Sequence, residues 1–135
     1  MAYIWTAAFE TGNEETDKVH QELFSLMNRL MEASSIGQGG SQISEILKFL
    51  NNYVMTDFQK EEVRMADSDY PDYFLHKKAH SSFQKIVHSI EKEYRDTGAS
   101  TSLIAKLCSV ISFWLTNHIQ RDDLMFAYYL HTRSA

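Results

Sequence analysis

Three residue types that break or cross-link chains are scarce here: one cysteine, one proline and five glycines in 135 residues. A single cysteine, Cys108, cannot close an internal disulfide, so nothing in the cysteine pattern points to an oxidising compartment. So few glycines and prolines favour long uninterrupted helices over a many-turned β fold. Basic charge is also in deficit. Thirteen Lys and Arg face eighteen Asp and Glu, a formal charge of −5, and no basic stripe stands out, which argues against nucleic acid as a partner. No apolar run approaches the roughly 18–20 residues that cross a bilayer. The stretch Met1-Ala2-Tyr3-Ile4-Trp5 lacks the basic and apolar regions of a signal peptide. The expectation is a cytoplasmic protein with no membrane partner. There is no internal repeat and no low-complexity segment.

What is present is an ordinary globular balance, 44% hydrophobic and 23% charged. The length suits one domain, expected over 1–135, with an N-terminal arm at 1–12 and a helical body at 13–130. Ile4, Trp5 and Phe9 show no helical period and read as an extended arm whose aromatics pack onto the body.

Four apolar stripes follow at three-to-four spacing. Helix A, from about Glu14 to Ser34, carries Val19, Leu23, Phe24, Leu26, Met27, Leu30 and Met31. Ile36-Gly37-Gln38-Gly39-Gly40 ends it, with Gly37 a candidate C-terminal cap. Helix B, about Gln42 to Ala66 with Ser41 as N-cap, carries Ile43, Ile46, Leu47, Leu50, Tyr53, Val54, Phe58, Glu61 and Met65. Helix C is placed from Pro71, which suits a first turn, to about Asp96. It carries His76, His80, Phe83, Val87, Ile90 and Tyr94. After Thr97-Gly98-Ala99-Ser100, helix D runs from about Thr101 to Leu124, continuing in pieces to Tyr129, with Leu103, Leu107, Val110, Ile111, Trp114 and His118 inward. Four such helices joined by short loops predict an all-α, up-down-up-down four-helix bundle.

Each stripe contains metal-ligand residue types. Helix A has His20, helix B has Asp57 and Glu61, helix C has His76 and His80, and helix D has His118 and Asp123. A separation of four puts both imidazoles of helix C on one face, about one turn apart. Buried carboxylates and imidazoles are costly unless paired or coordinated, so their convergence in a bundle points to a two-metal carboxylate–histidine site. Iron accepts both donor types. His118 and Asp123, five apart, lie about 140° apart on an ideal α-helix and converge only if the helix is locally widened or ends there. Asp122 has the better spacing and is the rival. His88, His131 and Cys108 read as surface, surface and core. Glu62 reads as solvent-facing or as a hydrogen-bond partner behind a ligand.

The chain resembles the hemerythrin family, and bacteriohemerythrins in particular. The matching pieces are the Trp5–Phe9 arm, Asp17-Lys18-Val19-His20-Gln21-Glu22-Leu23-Phe24, Tyr53 through Phe58, Glu61-Glu62 to Met65, Tyr70-Pro71, His76 to His80 with Phe83, and Trp114-Leu115-Thr116-Asn117-His118-Ile119 to Asp123. They span nearly the whole chain in order. The resemblance implies a non-haem two-iron centre with an oxo or hydroxo bridge that binds dioxygen, for storage, delivery or sensing. His76, His80 and His118 would hold one iron, Glu61 and Asp123 would bridge, and His20 would hold the second iron. Phe58, Trp114, Leu115 and Ile119 would wall the ligand pocket. Where the family places a histidine just before the phenylalanine of helix B, this chain has Asp57. That exchange opens a second expectation, a redox-active protein that reduces or senses dioxygen, peroxide or nitric oxide. A separate redox or signalling partner is expected for a sensor, because no output domain is visible in the sequence.

Overall fold

The computed structural model describes residues 4–38 and 40–133. Met1, Ala2 and Tyr3 of the expected arm and Gly39 of the expected loop lie outside them. The described residues are helical with no strand, arranged as four antiparallel rods. The first rod is α1 (Glu14–Ser35). The second joins α2 (Gly40–Asn52), a π-helical turn (Tyr53–Asp57) and α3 (Phe58–Asp67). The third is α4 (Tyr73–Thr97). The fourth joins α5 (Thr101–Trp114), a longer π-helical segment (Leu115–Asp123) and α6 (Leu124–Arg133). α1 packs on the second and fourth rods, and α4 packs on the same two, which closes the bundle.

The helix ends follow from local chemistry. The Asn13 side chain caps α1 by accepting from the Thr16 N–H, and Ser100 caps α5 by accepting from Leu103. α1 stops as expected at Gly37, whose φ of 76° is the left-handed conformation glycine adopts without penalty. The Gln38 N–H reaches back to the Ala33 carbonyl and the Gly37 N–H to Ser34, closing the last turn. α3 ends the same way with an aspartate in the left-handed position: Asp69 has φ 55°, Tyr70 N–H reaches Met65 O, and Tyr70 packs on Met65.

Several boundaries differ from the sequence expectation. Ser41 is already inside α2, which begins at Gly40, and its hydroxyl donates to the Gln38 carbonyl instead of capping. Pro71 sits in a turn before α4, not in its first turn, because the chain must still turn after Tyr70 is buried. The fourth rod is unbroken to Arg133. The arm is not fully extended, since Ala7–Phe9 form a 3-10 turn whose N-terminus Thr6 caps. Its aromatics do pack on the body: Trp5 and Phe9 stack on each other and both meet the edge of Phe24.

The fourth rod, 33 residues long with a mean hydropathy of 1.2 over its most apolar window, has the length and composition to cross a membrane. The sequence expectation counted only unbroken apolar runs and did not register it. Here Leu103, Leu107, Ile111, Trp114, Leu115, Ile119 and Phe126 of this rod are core residues. Part of its apolar content therefore serves the bundle interior, while Phe113, Met125 and Tyr128 of the same rod are exposed. Two apolar clusters result. The larger runs from Leu23 to Ile119 across all four rods, and the smaller comprises Met65, Tyr70 and Phe126. The polar interior lies between them.

Candidate metal centre

Among the described residues, six histidines and carboxylates are buried in that interior: His20, Glu61, His76, His80, His118 and Asp123. Each comes from a stripe that is otherwise apolar, so the periodicity that buries Leu and Phe also buries these groups. Five of them, Glu61, His76, His80, His118 and Asp123, bring one donor atom each to within 4.8 Å of all the others. Glu61 Oε1 lies 2.6 Å from His76 Nε2 and 3.1 Å from His80 Nε2. Asp123 Oδ1 lies 3.0 Å from both His76 Nε2 and His118 Nε2. The other Asp123 oxygen, Oδ2, faces away from this group, 3.4 Å from His20 Nε2. Asp123 thus stands between the three-histidine group and His20, one oxygen to each.

The π-helical segment Leu115–Asp123 resolves the spacing of His118 and Asp123. Widening the helix turns both inward, where an α-helix would hold them about 140° apart. The side chains of Thr116 and Asn117 help accommodate the widening, because both donate to the Phe113 carbonyl and Thr116 also to that of Ser112. Asp122, the rival by spacing, points instead to the back of His118, where it accepts from Nδ1 at 3.2 Å. Glu62 does the same for His80, accepting from Nδ1 at 2.8 Å. A carboxylate on Nδ1–H fixes the tautomer and leaves the Nε2 lone pair pointing into the cluster. Aromatic faces fix the ring planes: Phe58 stacks on His80 at 3.9 Å and Trp114 on His118 at 3.8 Å between centroids. Trp114 is itself held by donating Nε1–H to the Tyr53 hydroxyl.

The electrostatics are those of a tightly paired site. Burial lowers the pKa of His76, but hydrogen bonds to Asp123 and Glu61 outweigh it and raise it to about 10. Burial also opposes the charge on His118, and Asp123 and Asp122 overcome it, so its pKa rises. Burial would raise Asp123, yet His118, His76 and His20 hold it well below the usual carboxylate range. Three atoms of the cluster nonetheless lack a well-directed hydrogen bond despite their close contacts: His80 Nε2, His118 Nε2 and Asp123 Oδ1. Buried polar atoms are rarely orphaned, and a cluster of them aimed at one point fits a metal ion. Imidazoles with carboxylates behind them and a carboxylate with one oxygen on each side suit iron's donor preferences.

Asp57 is not part of the five-residue cluster. It is the last residue of the first π turn, half-buried, on the wall of a cavity of about 560 Å3 that also touches His20, Glu61 and Asp123. Burial raises the Asp57 pKa, which Lys60 partly offsets. Of the four residues expected to wall the ligand pocket, Phe58 lines this cavity, whereas Trp114, stacked on His118, and Leu115 and Ile119 are buried in the core off its wall. Asn13, Thr16, Val19 and Arg64 are on the wall instead. The sequence carried no signal for them, since their role depends on how α1 lies against α3. A second cavity of about 290 Å3 also touches Glu61 and Asp123, with His131 on its wall. His88 is exposed, and Cys108 packs against the core, its thiol pushed up in pKa by burial.

Residues 11–130 match the family described as the Hemerythrin HHE cation binding domain. The chain is similar to a bacteriohemerythrin of Methylococcus capsulatus, 28% identical over 90% of this chain and 92% of the relative. It is also similar to a bacteriohemerythrin of Pseudomonas aeruginosa, 29% identical over 89% of this chain and 76% of the relative. A hemerythrin-like protein of Naegleria gruberi is 28% identical over 92% of this chain and 90% of that protein.

Proposed function

The chain belongs to the hemerythrin family, and from that premise we propose that it is a non-haem two-iron protein that binds dioxygen in the bundle core. The observation that carries the reading is Asp123, buried with one oxygen at the His76–His118 group and the other toward His20. A carboxylate so placed is suited to span two ions. His76, His80 and His118 would hold one iron, Glu61 and Asp123 would be shared, and His20 with Asp57 would serve the other. Bound iron would supply the electrons that dioxygen accepts on binding. The protein's own contribution is to hold the imidazoles in one tautomer through Glu62 and Asp122, to fix the His80 and His118 ring planes with Phe58 and Trp114, and to keep water from the inner side of the cluster with the Leu115 and Ile119 side chains.

Metal analysis together with visible absorption tests this. About two irons per chain, and a band that appears under oxygen and disappears when oxygen is removed, is the expected result. Iron-free protein, or colour that never reverses, would overturn dioxygen binding. Asp57 favours a second reading, in which the same irons reduce dioxygen, peroxide or nitric oxide. A carboxylate on the wall shared with His20 and Asp123 adds negative charge beside the second position and favours the oxidised metal. Rapid mixing of the reduced protein with oxygen separates the two. A long-lived adduct supports binding, and prompt oxidation supports redox chemistry.

A further inference from the structure

The cavity beside the cluster, about 560 Å3, is more than tenfold larger than the roughly 30 Å3 that a water-sized ligand takes in liquid. Arg64 is on its wall and also on the wall of the smaller cavity, as are Asn13, Thr16, Glu61 and Asp123. It lies one turn after Glu61 on α3, on the same side of the helix. Its guanidinium is held in place on two sides: Nη2 donates to Thr16 Oγ1 at 3.2 Å, and the group lies 5.9 Å from the Phe126 ring centroid.

Neither contact neutralises its charge. Among the described residues no carboxylate lies within ion-pair distance of Arg64, and its buried Nε–H has no acceptor. Four carboxylates share the cavity wall, Glu15, Asp57, Glu61 and Asp123, and none forms an ion pair with Arg64. Glu61 and Asp123 face the histidines, and Glu15, at the cavity rim, takes Lys60 at 2.5 Å. The charge of Arg64 reaches Glu15 only at longer range, and a partly buried guanidinium with free donors and no direct ion pair is costly unless an anion joins it. Its fork matches the two oxygens of a planar oxyanion.

We infer that Arg64 forms a subsite for a small planar oxyanion of the carboxylate or bicarbonate class, in the cavity beside the cluster. The subsite adds to the dioxygen reading without depending on it, because it is built from Arg64, Thr16 and the cavity alone. A larger ligand than dioxygen would then lie next to the candidate second metal position.

Calorimetric titration with sodium formate tests it, on the purified full chain at constant ionic strength set with chloride, whose single centre cannot use the fork. Metal content is measured in the same samples. Wild type is expected to bind formate, Arg64→Leu to bind it roughly tenfold or more weakly, as when a charge-assisted pair is lost, and Arg64→Lys to fall between. Formate affinity unchanged in Arg64→Leu, or no formate binding by wild type, overturns the subsite. If Arg64→Leu fails to fold, wild-type affinity in Arg64→Lys overturns it. Iron-free wild type that still binds formate through Arg64 sinks the two-iron reading alone. Full iron with affinity indifferent to Arg64 sinks the subsite alone.

Discussion

Around the cluster, adjacent carboxylates take opposite jobs because one residue of helical rotation separates the interior from its rim. Asp123 and Glu61 are buried among the imidazoles, while Asp122 and Glu62 stand behind His118 and His80 on the Nδ1 side. Asp122→Asn and Glu62→Gln remove the charge that fixes each tautomer. Each is expected to weaken iron binding about 10–100-fold while leaving the helical circular-dichroism signal intact; competition with a colorimetric chelator measures it. Asp57 is a different case, a carboxylate on the cavity wall where the family resemblance implies a histidine. A unit charge at about 6–10 Å in an effective dielectric of 20 is worth about 2–3 kcal/mol. Asp57→His should therefore slow oxidation of the oxygen-exposed, reduced protein by roughly tenfold or more. Equal decay of the visible band in the two proteins would contradict this.

At the scale of the element, the two π-helical segments set the site. In the fourth rod the extra residue per turn brings His118 and Asp123 to one point. In the second rod the Tyr53–Asp57 turn, which the Phe58 N–H closes by reaching the Tyr53 carbonyl, puts Tyr53, Val54 and Phe58 inward together and leaves Asp57 at the cavity wall. Deleting Thr116, an exposed residue inside the longer segment, would return the rod toward α geometry and rotate its two ends by about 100° relative to each other. Helical content should persist, but iron content should fall below one per chain on metal analysis. At the end of α3, Asp69 occupies a left-handed turn that glycine enters freely. Asp69→Gly should raise stability by about 0.5–1 kcal/mol in denaturant titration, since the left-handed penalty is relieved.

For the whole molecule, the arrangement is a polar site inserted between two apolar clusters. The large cluster can hold the bundle without metal, because it joins all four rods through Leu23, Leu50, Val87 and Ile111, all inaccessible to solvent. The site end depends more on what fills it, given its orphaned Nε2 and carboxylate atoms. Removing metal with a chelator should therefore lower the melting temperature without unfolding the chain at room temperature. A ligand at 100 times its Kd contributes about 2.7 kcal/mol, which is several degrees for a chain of this size. A scanning calorimetry trace indifferent to chelator would show that the cluster gains nothing from metal.

The sequence alone determined the four helices, their inward faces and the six ligand-type residues that are buried there, because burial in a bundle obeys a fixed period and an imidazole on an apolar stripe has nowhere else to go. It also raised the choice between Asp122 and Asp123 without being able to close it, since spacing assumes an ideal α-helix. Tertiary structure decided which of the two faces the histidines through the widened helix at Leu115–Asp123, a departure from α geometry that the apolar period does not announce. It also decided which walls enclose the cavity. Trp114, Leu115 and Ile119 are core residues off that wall, and Arg64 and Thr16 are on it, because that depends on how α1 leans on α3. His76 and His80 needed only one helix to share a face; the two oxygens of Asp123 needed three rods to acquire different neighbours.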